Sequence, residues 1–336
     1  MKDKNIERFR WALRQNRDAL LEWLESDSSH KEVHLGESAK TEVLQLISEL
    51  KHALERIDRG KFGKCEECGE EVETQQLEYD YTSCLCLTHY SDAQLRTLER
   101  ELELVSKVHR DLLPCKVPTL PGIQIAAHTE PARIGGGDYY DFYDFRSGAQ
   151  GLAIADVMDK GLPASILMSN LQASLRILGP DYDSLDSLAE RLNKLFRHNL
   201  NLIKFISIFL AAIDLDSKTL EYCNAGHHPP LWWQAASQSL NWLNPTGPAL
   251  GLTRDPHYRS ETVKFDSDDL FVFYTDGLIE SGHQNVKEFG EDGLATCVRD
   301  HIQHSPDELL ADLLKTARKL AGKFHDDVTL LVLKIQ

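Results

Sequence analysis

The chain has 336 residues, of which 42% are hydrophobic and 27% charged, a globular balance that excludes wholesale disorder. Thirty-seven basic against 53 acidic residues leave a formal net charge of −16, which excludes a general nucleic-acid coat, because phosphate backbones need basic surface. The longest apolar run, Phe205–Ile213 with Ser207 inside it, is too short to cross a bilayer. The N-terminus leads into a charged amphipathic segment, not a secretory stretch. These features describe a cytoplasmic protein of two or three domains, with no membrane partner and no direct nucleic-acid partner.

In residues 5–25, Ile6, Phe9, Leu13, Leu20 and Trp23 recur at helical spacing, with Asn16 on the same seam. Residues 39–58 repeat the pattern with Val43, Ile47, Leu50, Leu54 and Ile57. Steps of three and four predict two amphipathic helices. The polar stretch between them, Ser26–Glu37, predicts the turn of an antiparallel hairpin. Gly60 stops the second helix. Cysteines then crowd together: four of the seven (Cys65, Cys68, Cys84 and Cys86) precede Tyr90, while Cys115, Cys223 and Cys297 are scattered. That pattern suits a metal site in a reducing compartment better than a disulfide framework. Cys65-x2-Cys68, 17 residues, then Cys86-x2-His89 gives two ligand pairs of the kind that converge on one tetrahedral, structural zinc ion. Cys84 competes with Cys86 for the third position. We favour Cys86 with His89 because their spacing repeats that of the first pair.

A third helix is expected over Asp92–Leu113, with Leu95, Leu98, Leu102, Val105 and Leu112 on a coiled-coil-like seam flanked by charges. Pro118 and Pro121 break the helical pattern, and we place the main boundary at Cys115–Gly122. The expected organisation is a helical hairpin with a zinc ribbon over residues 1–91, a linker and dimerisation helix over 92–114, and a large domain over 119–336.

In that domain Ile123–Ala127, Gly151–Ala155, Ile206–Ile213, Thr219–Cys223, Leu270–Tyr274 and Val328–Ile335 read as strands. Pro163–Leu178, Ser184–Asn199, Glu288–His301 and Pro306–Lys323 read as helices, the last with a Ser305/Glu308 capping box. Strands adjacent in pairs with helices between the pairs predict an α+β sandwich.

Four acidic motifs sit at the ends of these strands or in loops: Gly135–Asp141, Ala155–Gly161, Tyr274–Gly277 and His325–Thr329. Each alone is first a turn signal. As a set, Asp138, Asp156, Asp276 and Asp326 offer oxygen ligands that select hard divalent cations, and a cation removes the cost of burying carboxylates near a core. Lys160 reads either as a phosphate contact or as a solvated lysine. His227 and His228 read either as proton donors or as supports of the Asn-Ala-Gly turn. Asp141 and Asp327 are candidates to brace the ligands. No Gly-x4-Gly-Lys-Ser/Thr loop supports nucleotide hydrolysis.

Two families are resembled. Ala53–Val72, with Gly60-Lys-Phe-Gly-Lys-Cys65-Glu-Glu-Cys68-Gly at its heart, looks like the zinc finger of DksA/TraR-type proteins, in which a helical hairpin enters RNA polymerase. The tip here, Glu25–Glu32, departs from that family's acidic tip, and His89 stands in place of a fourth cysteine. From about Leu95 onward the chain resembles the PPM (protein phosphatase 2C-like) metal-dependent serine/threonine phosphatases, in their bacterial SpoIIE-type branch. The resemblance lies in Arg110-Asp-Leu-Leu-Pro114, Gly136-Gly-Asp138-Tyr-Tyr-Asp-Phe, Asp156-Val-Met-Asp-Lys-Gly161-Leu-Pro-Ala, Asn224-Ala-Gly-His-His-Pro-Pro230, Gly247-Pro-Ala-Leu-Gly-Leu252, Tyr274-Thr-Asp-Gly-Leu-Ile-Glu280 and Asp326-Asp-Val-Thr-Leu. It implies an αββα sandwich of two antiparallel sheets and two Mn²⁺ or Mg²⁺ ions. Asp156 and the carbonyl of Val157 would hold the ions with Asp276, Asp326 and Asp138. The implied substrate is a phosphorylated regulatory protein, an anti-sigma-factor antagonist, and the protein would be a homodimer switched through its linker helix. The alternative is a regulator whose zinc module docks on the transcription machinery while the phosphatase half serves as a scaffold.

Overall fold

The computed structural model describes residues 3–25, 37–73, 76–77, 80–145, 148–158, 161–181, 184–199, 205–282 and 288–336. The hairpin turn and tip at 26–36, and Asp159 and Lys160, lie outside the described residues. The chain divides into two compact units, residues 1–101 and 102–336. The break at 115–122 therefore falls inside the second unit.

In the first unit α1 (Asp3–Glu25) and α2 (Glu37–Asp58) pack on each other. Phe9 and Leu13 from α1 meet Leu50, Ala53, Leu54 and Ile57 from α2, as the three-four spacing requires. Phe62, Val72, Leu77 and the buried Cys65 and Cys86 extend the same core. Gly60 ends α2 in the left-handed region, at φ +66°. Arg56, buried although charged, donates to the carbonyls of Ser83 and Lys64 and pairs with Glu66 at 3.3 Å. It fixes the cysteine segment to α2.

The third helix, α3 (Asp92–Leu112), crosses the boundary between the units. The second unit holds two antiparallel sheets. One has the order β1 (Ile123–Glu130), β10 (Val328–Ile335), β9 (Leu270–Tyr274), β6 (Leu231–Gln234), β7 (Ser239–Trp242). The other has the order β2 (Tyr139–Asp144), β3 (Gln150–Val157), β4 (Ile206–Asp214), β5 (Thr219–Ala225), β8 (Glu261–Lys264). Alternation of side chains explains the near-continuous apolar runs. Phe271, Phe273, Leu331 and Leu333 enter the core shared with the second sheet, where Phe273 meets Phe209 at 5.5 Å between ring centres. Their neighbours Leu270, Val272, Leu330 and Val332 face α7 (Gly290–Asp300) and α8 (Pro306–Ala321). The opposite face of the second sheet carries α4 (Leu162–Leu178) and α5 (Leu185–Asn199). The outcome is the expected α+β sandwich, two antiparallel sheets between helices.

All six expected strands are present, and β2, β6, β7 and β8 are additional. A short helix, α6 (Asp276–Ile279), follows β9 directly. Ser305 caps α8 as expected, accepting from the Glu308 N–H while Glu308 reaches back to Ser305. Among the described residues no helix is long and apolar enough to cross a membrane.

Candidate active site

The acidic motifs occupy corresponding ends of strands in the two sheets. Asp156 lies on β3, opposite Ser207 of β4. Asp138 immediately precedes β2. In the other sheet Asp276 follows β9, and Asp326 and Asp327 precede β10. Hydrogen bonds connect these ends. Thr275 Oγ1 donates to Asp138 Oδ2 at 2.7 Å, and accepts from the Thr329 N–H at 2.9 Å. One hydroxyl thus joins the end of β9 to the approach of β2 in the facing sheet. Asp327 makes a second link, accepting from the Ala132 N–H at 2.7 Å and the Gly137 N–H at 2.8 Å.

The loop before Asp138 is closely confined. A Cβ on Gly137 would meet the carbonyl oxygen of Val157 at 2.7 Å, and one on Gly136 would meet Asp327 Oδ2 at 2.6 Å. A Cβ on Gly277 would meet the Asp327 carbonyl oxygen and lie 3.2 Å from Asp326 Cβ, so Asp276 and Asp326 are carried on backbone in contact. Asp326, Gly277, Glu280 and His325 line a small cleft. Gly136 donates its N–H to His109 Nε2 of α3 at 3.1 Å.

Asp138 is 3% exposed. Burial pushes its carboxyl well above the ordinary value, and the charges of Asp156 and Asp327 push it further. Burial also raises Asp327, against the lowering effect of the Ala132 and Gly137 N–H groups. Buried oxygen donors that oppose one another's ionisation fit a hard divalent cation, whose charge removes that opposition.

The remaining candidates have other roles. Asp141 accepts from Tyr139 Oη at 2.7 Å, Arg176 Nε at 2.8 Å and the Phe142 N–H at 2.9 Å. It fastens β2 to α4. His227 is buried, donates its backbone N–H to Asn224 Oδ1 at 2.8 Å, and has Nδ1 2.8 Å from Ser207 Oγ. Burial pushes its imidazole down to about 3, and His228 adds to the effect. Its bonds to Asn224 and Ser207 support the turn. The residues missed from the sequence are Thr275, Thr329 and His109. The first two stand inside quoted motifs, Tyr274-Thr-Asp-Gly and Asp326-Asp-Val-Thr, where their hydroxyls were the available signal.

The first unit holds a separate constellation. Ligand atoms of Cys65, Cys68, Cys86 and His89 all lie within 4.8 Å of one another. Cys84 is outside the group. Cys68 Sγ and Cys86 Sγ are 3.8 Å apart, and His89 Nδ1 lies 3.7 Å from Cys65 Sγ and 3.1 Å from Cys86 Sγ. A tetrahedron with Zn–S near 2.3 Å has sulfur–sulfur edges of about 3.8 Å, so the donors fit zinc. The Thr88 hydroxyl, 3.0 Å away, holds the Cys86 thiol below its ordinary value. Burial raises Cys65, but the Cys86, Cys68 and Glu67 backbone outweighs it and leaves this thiol lowered too.

Comparison with known proteins agrees with the sandwich. The family model "Stage II sporulation protein E (SpoIIE)" matches residues 146–336. The chain belongs to the SpoIIE family. The phosphoserine phosphatase RsbU of Bacillus subtilis is 29% identical over 238 residues, covering 70% of this chain and 70% of that protein. The RsbU and RsbW domains of Rv1364c from Mycobacterium tuberculosis superpose with a TM-score of 0.57 at 28% identity, covering 67% of this chain and 63% of that one. The SiaA-PP2C domain of Pseudomonas aeruginosa gives 0.63 at 19% identity, covering 73% of this chain and all of that one. It shares the fold.

Proposed function

We propose that this protein serine phosphatase hydrolyses phosphoserine or phosphothreonine on a regulatory protein, through water activated by two Mn²⁺ or Mg²⁺ ions. Asp138, Asp156, Asp276, Asp326 and the Val157 carbonyl hold the ions. When bound, such a pair lowers the pKa of a bridging water and steadies charge on the phosphoryl oxygens. The protein's own part is positioning: Thr275 orients Asp138, and Asp327 holds the glycine loop that carries it. In-line phosphoryl transfer depends on such placement more than on covalent chemistry. The observation that carries the reading is the buried Asp138, tied by Thr275 to the opposite sheet and opposed by the charge of Asp156.

The SpoIIE resemblance supports an anti-sigma-factor antagonist as the substrate, a cytoplasmic location and a homodimer regulated through α3. The cysteine cluster holds one structural zinc, and the DksA/TraR resemblance supports that assignment. The test is Mn²⁺-dependent hydrolysis of p-nitrophenyl phosphate. Asp156→Asn is expected to lower turnover by at least about 100-fold. Equal turnover in the variant, or turnover indifferent to Mn²⁺, would refute the reading. It would leave the alternative in which the phosphatase half is a scaffold.

A further inference from the structure

Beside the acidic edge lies a cationic hollow that hydrolysis itself does not use. It is a cavity of about 580 Å³ lined by Arg197, Gly251, Leu252, Thr253, Arg254 and Asp255. Its wall is fastened to α5. The Gly251 N–H donates to Asn193 Oδ1 at 2.7 Å, Asn193 Nδ2 to the Thr253 carbonyl at 3.5 Å, and Arg197 Nη1 to the Arg254 carbonyl at 3.2 Å. Both arginines are exposed, and among the described residues neither guanidinium forms an ion pair. Leu252, next to them, is 58% exposed.

Backbone bonds set the distance from this hollow to the acidic edge. The Leu250 N–H donates to the Ile206 carbonyl at 2.8 Å and the Ile206 N–H returns the bond at 3.0 Å. Ile206 pairs in turn with Val157, and the Met158 N–H donates to the Phe205 carbonyl at 3.2 Å. Leu250 is thus two strand spacings, about 10 Å, from Val157. An extended peptide advances about 3.4 Å per residue. On that scale, residues three to five positions from a phosphoserine at the aspartates are the ones to set against Arg197 and Arg254.

We propose that this hollow binds an acidic segment flanking the phosphorylated residue of the substrate protein. The proposal rests on the phosphatase reading and adds where substrate specificity is read. In a chain of net charge −16 most of the surface repels an acidic peptide, and a local pair of guanidinium groups with no ion-pair partner among the described residues fixes its register. Guanidinium also matches carboxylate in a forked geometry that lysine does not offer. Leu252 supplies apolar contact beside the charges.

The test uses the full chain with Mn²⁺ and four probes: p-nitrophenyl phosphate, and phosphoserine peptides with neutral flanks, with aspartates three to five residues before the phosphoserine, and with aspartates three to five residues after it. One acidic peptide is expected to exceed the neutral one in kcat/KM by about fivefold through KM, the size two exposed ion pairs give. In Arg197→Glu/Arg254→Glu that advantage disappears or inverts, while p-nitrophenyl phosphate turnover stays at the wild-type level. Both side chains are exposed, the Asn193 bonds to Gly251 and Thr253 remain to hold the wall, and unchanged ester turnover reports an intact fold. No acidic preference in the wild type, or a preference that survives in the variant, overturns the proposal while leaving the phosphatase reading intact. Failure to hydrolyse any probe removes both.

Discussion

Gly136 is tightly constrained beside the acidic cluster. A Cβ there would stand 2.6 Å from Asp327 Oδ2 and 2.9 Å from its Cγ, while His109 Nε2 is hydrogen-bonded to its backbone. Asp327 cannot retreat without releasing the Ala132 and Gly137 N–H groups it holds. Gly136→Ala is therefore expected to cost about 1–3 kcal/mol, the range for forcing volume into a packed site. It should also raise the Mn²⁺ concentration needed for half-maximal turnover. Urea unfolding and a Mn²⁺ titration check both, and wild-type values in both would show that the loop yields freely. The glycines and aspartates of this cluster were legible because strand ends and turn residues leave a local mark. Thr275 was not. Its partner Asp138 lies 137 positions away, and no local pattern marks a hydroxyl for so distant a carboxylate. His109 sat unnoticed on a helix whose seam was read only for aliphatic residues.

Among the elements, the strands most legible in the sequence are those buried on both faces, where pleated alternation yields uninterrupted apolar runs such as Leu270–Tyr274, although the partly buried edge strand β1 was also found. The strands missed are edge or partly polar ones. β8, Glu-Thr-Val-Lys, is exposed at three of four positions, and its charges blunt a sheet edge. β2 was read as an acidic turn because Gly135–Asp138 leads into it and Asp141 and Asp144 interrupt its aromatic residues, yet Asp141 is there for anchorage. Asp141→Ala leaves Tyr139 Oη without its acceptor and Arg176 without its counter-charge. Loss of one partner from such a pair is expected to cost about 3 kcal/mol, measured by chemical denaturation. Arg176→Ala, at a half-exposed side chain, does not remove the bonds from Tyr139 and Phe142. A larger loss from Arg176→Ala than from Asp141→Ala would contradict this account. The cysteine segment gives a second comparison. Cys86→Ser is expected to abolish the one-zinc stoichiometry in metal analysis of the purified chain, and Cys84→Ser to retain it. The reverse result would return Cys84 to the ligand set.

For the whole molecule, the SpoIIE match and the acidic cluster both fall in the second unit, and we propose that control of that unit runs through α3, residues 92–112. Charge repulsion at −16 disfavours casual association, so self-assembly needs a specific apolar surface. α3 offers one: Leu95, Leu98, Leu102 and Val105 remain half-exposed along one stripe, with Leu104 and Val108 beside them at 60% and 50% exposure. Completing the burial of a leucine is worth about 1–2 kcal/mol, and two copies of the stripe bring eight such side chains together. The wild-type chain is expected to sediment as a dimer. Leu98→Asp/Leu102→Asp puts four carboxylates into that seam and is expected to give a monomer, with phosphopeptide turnover separated from its normal control. Because both leucines are only half-buried, the variant should unfold at the wild-type urea concentration, which separates dissociation from misfolding. Unchanged mass together with unchanged turnover would show that α3 neither assembles the protein nor governs its acidic edge.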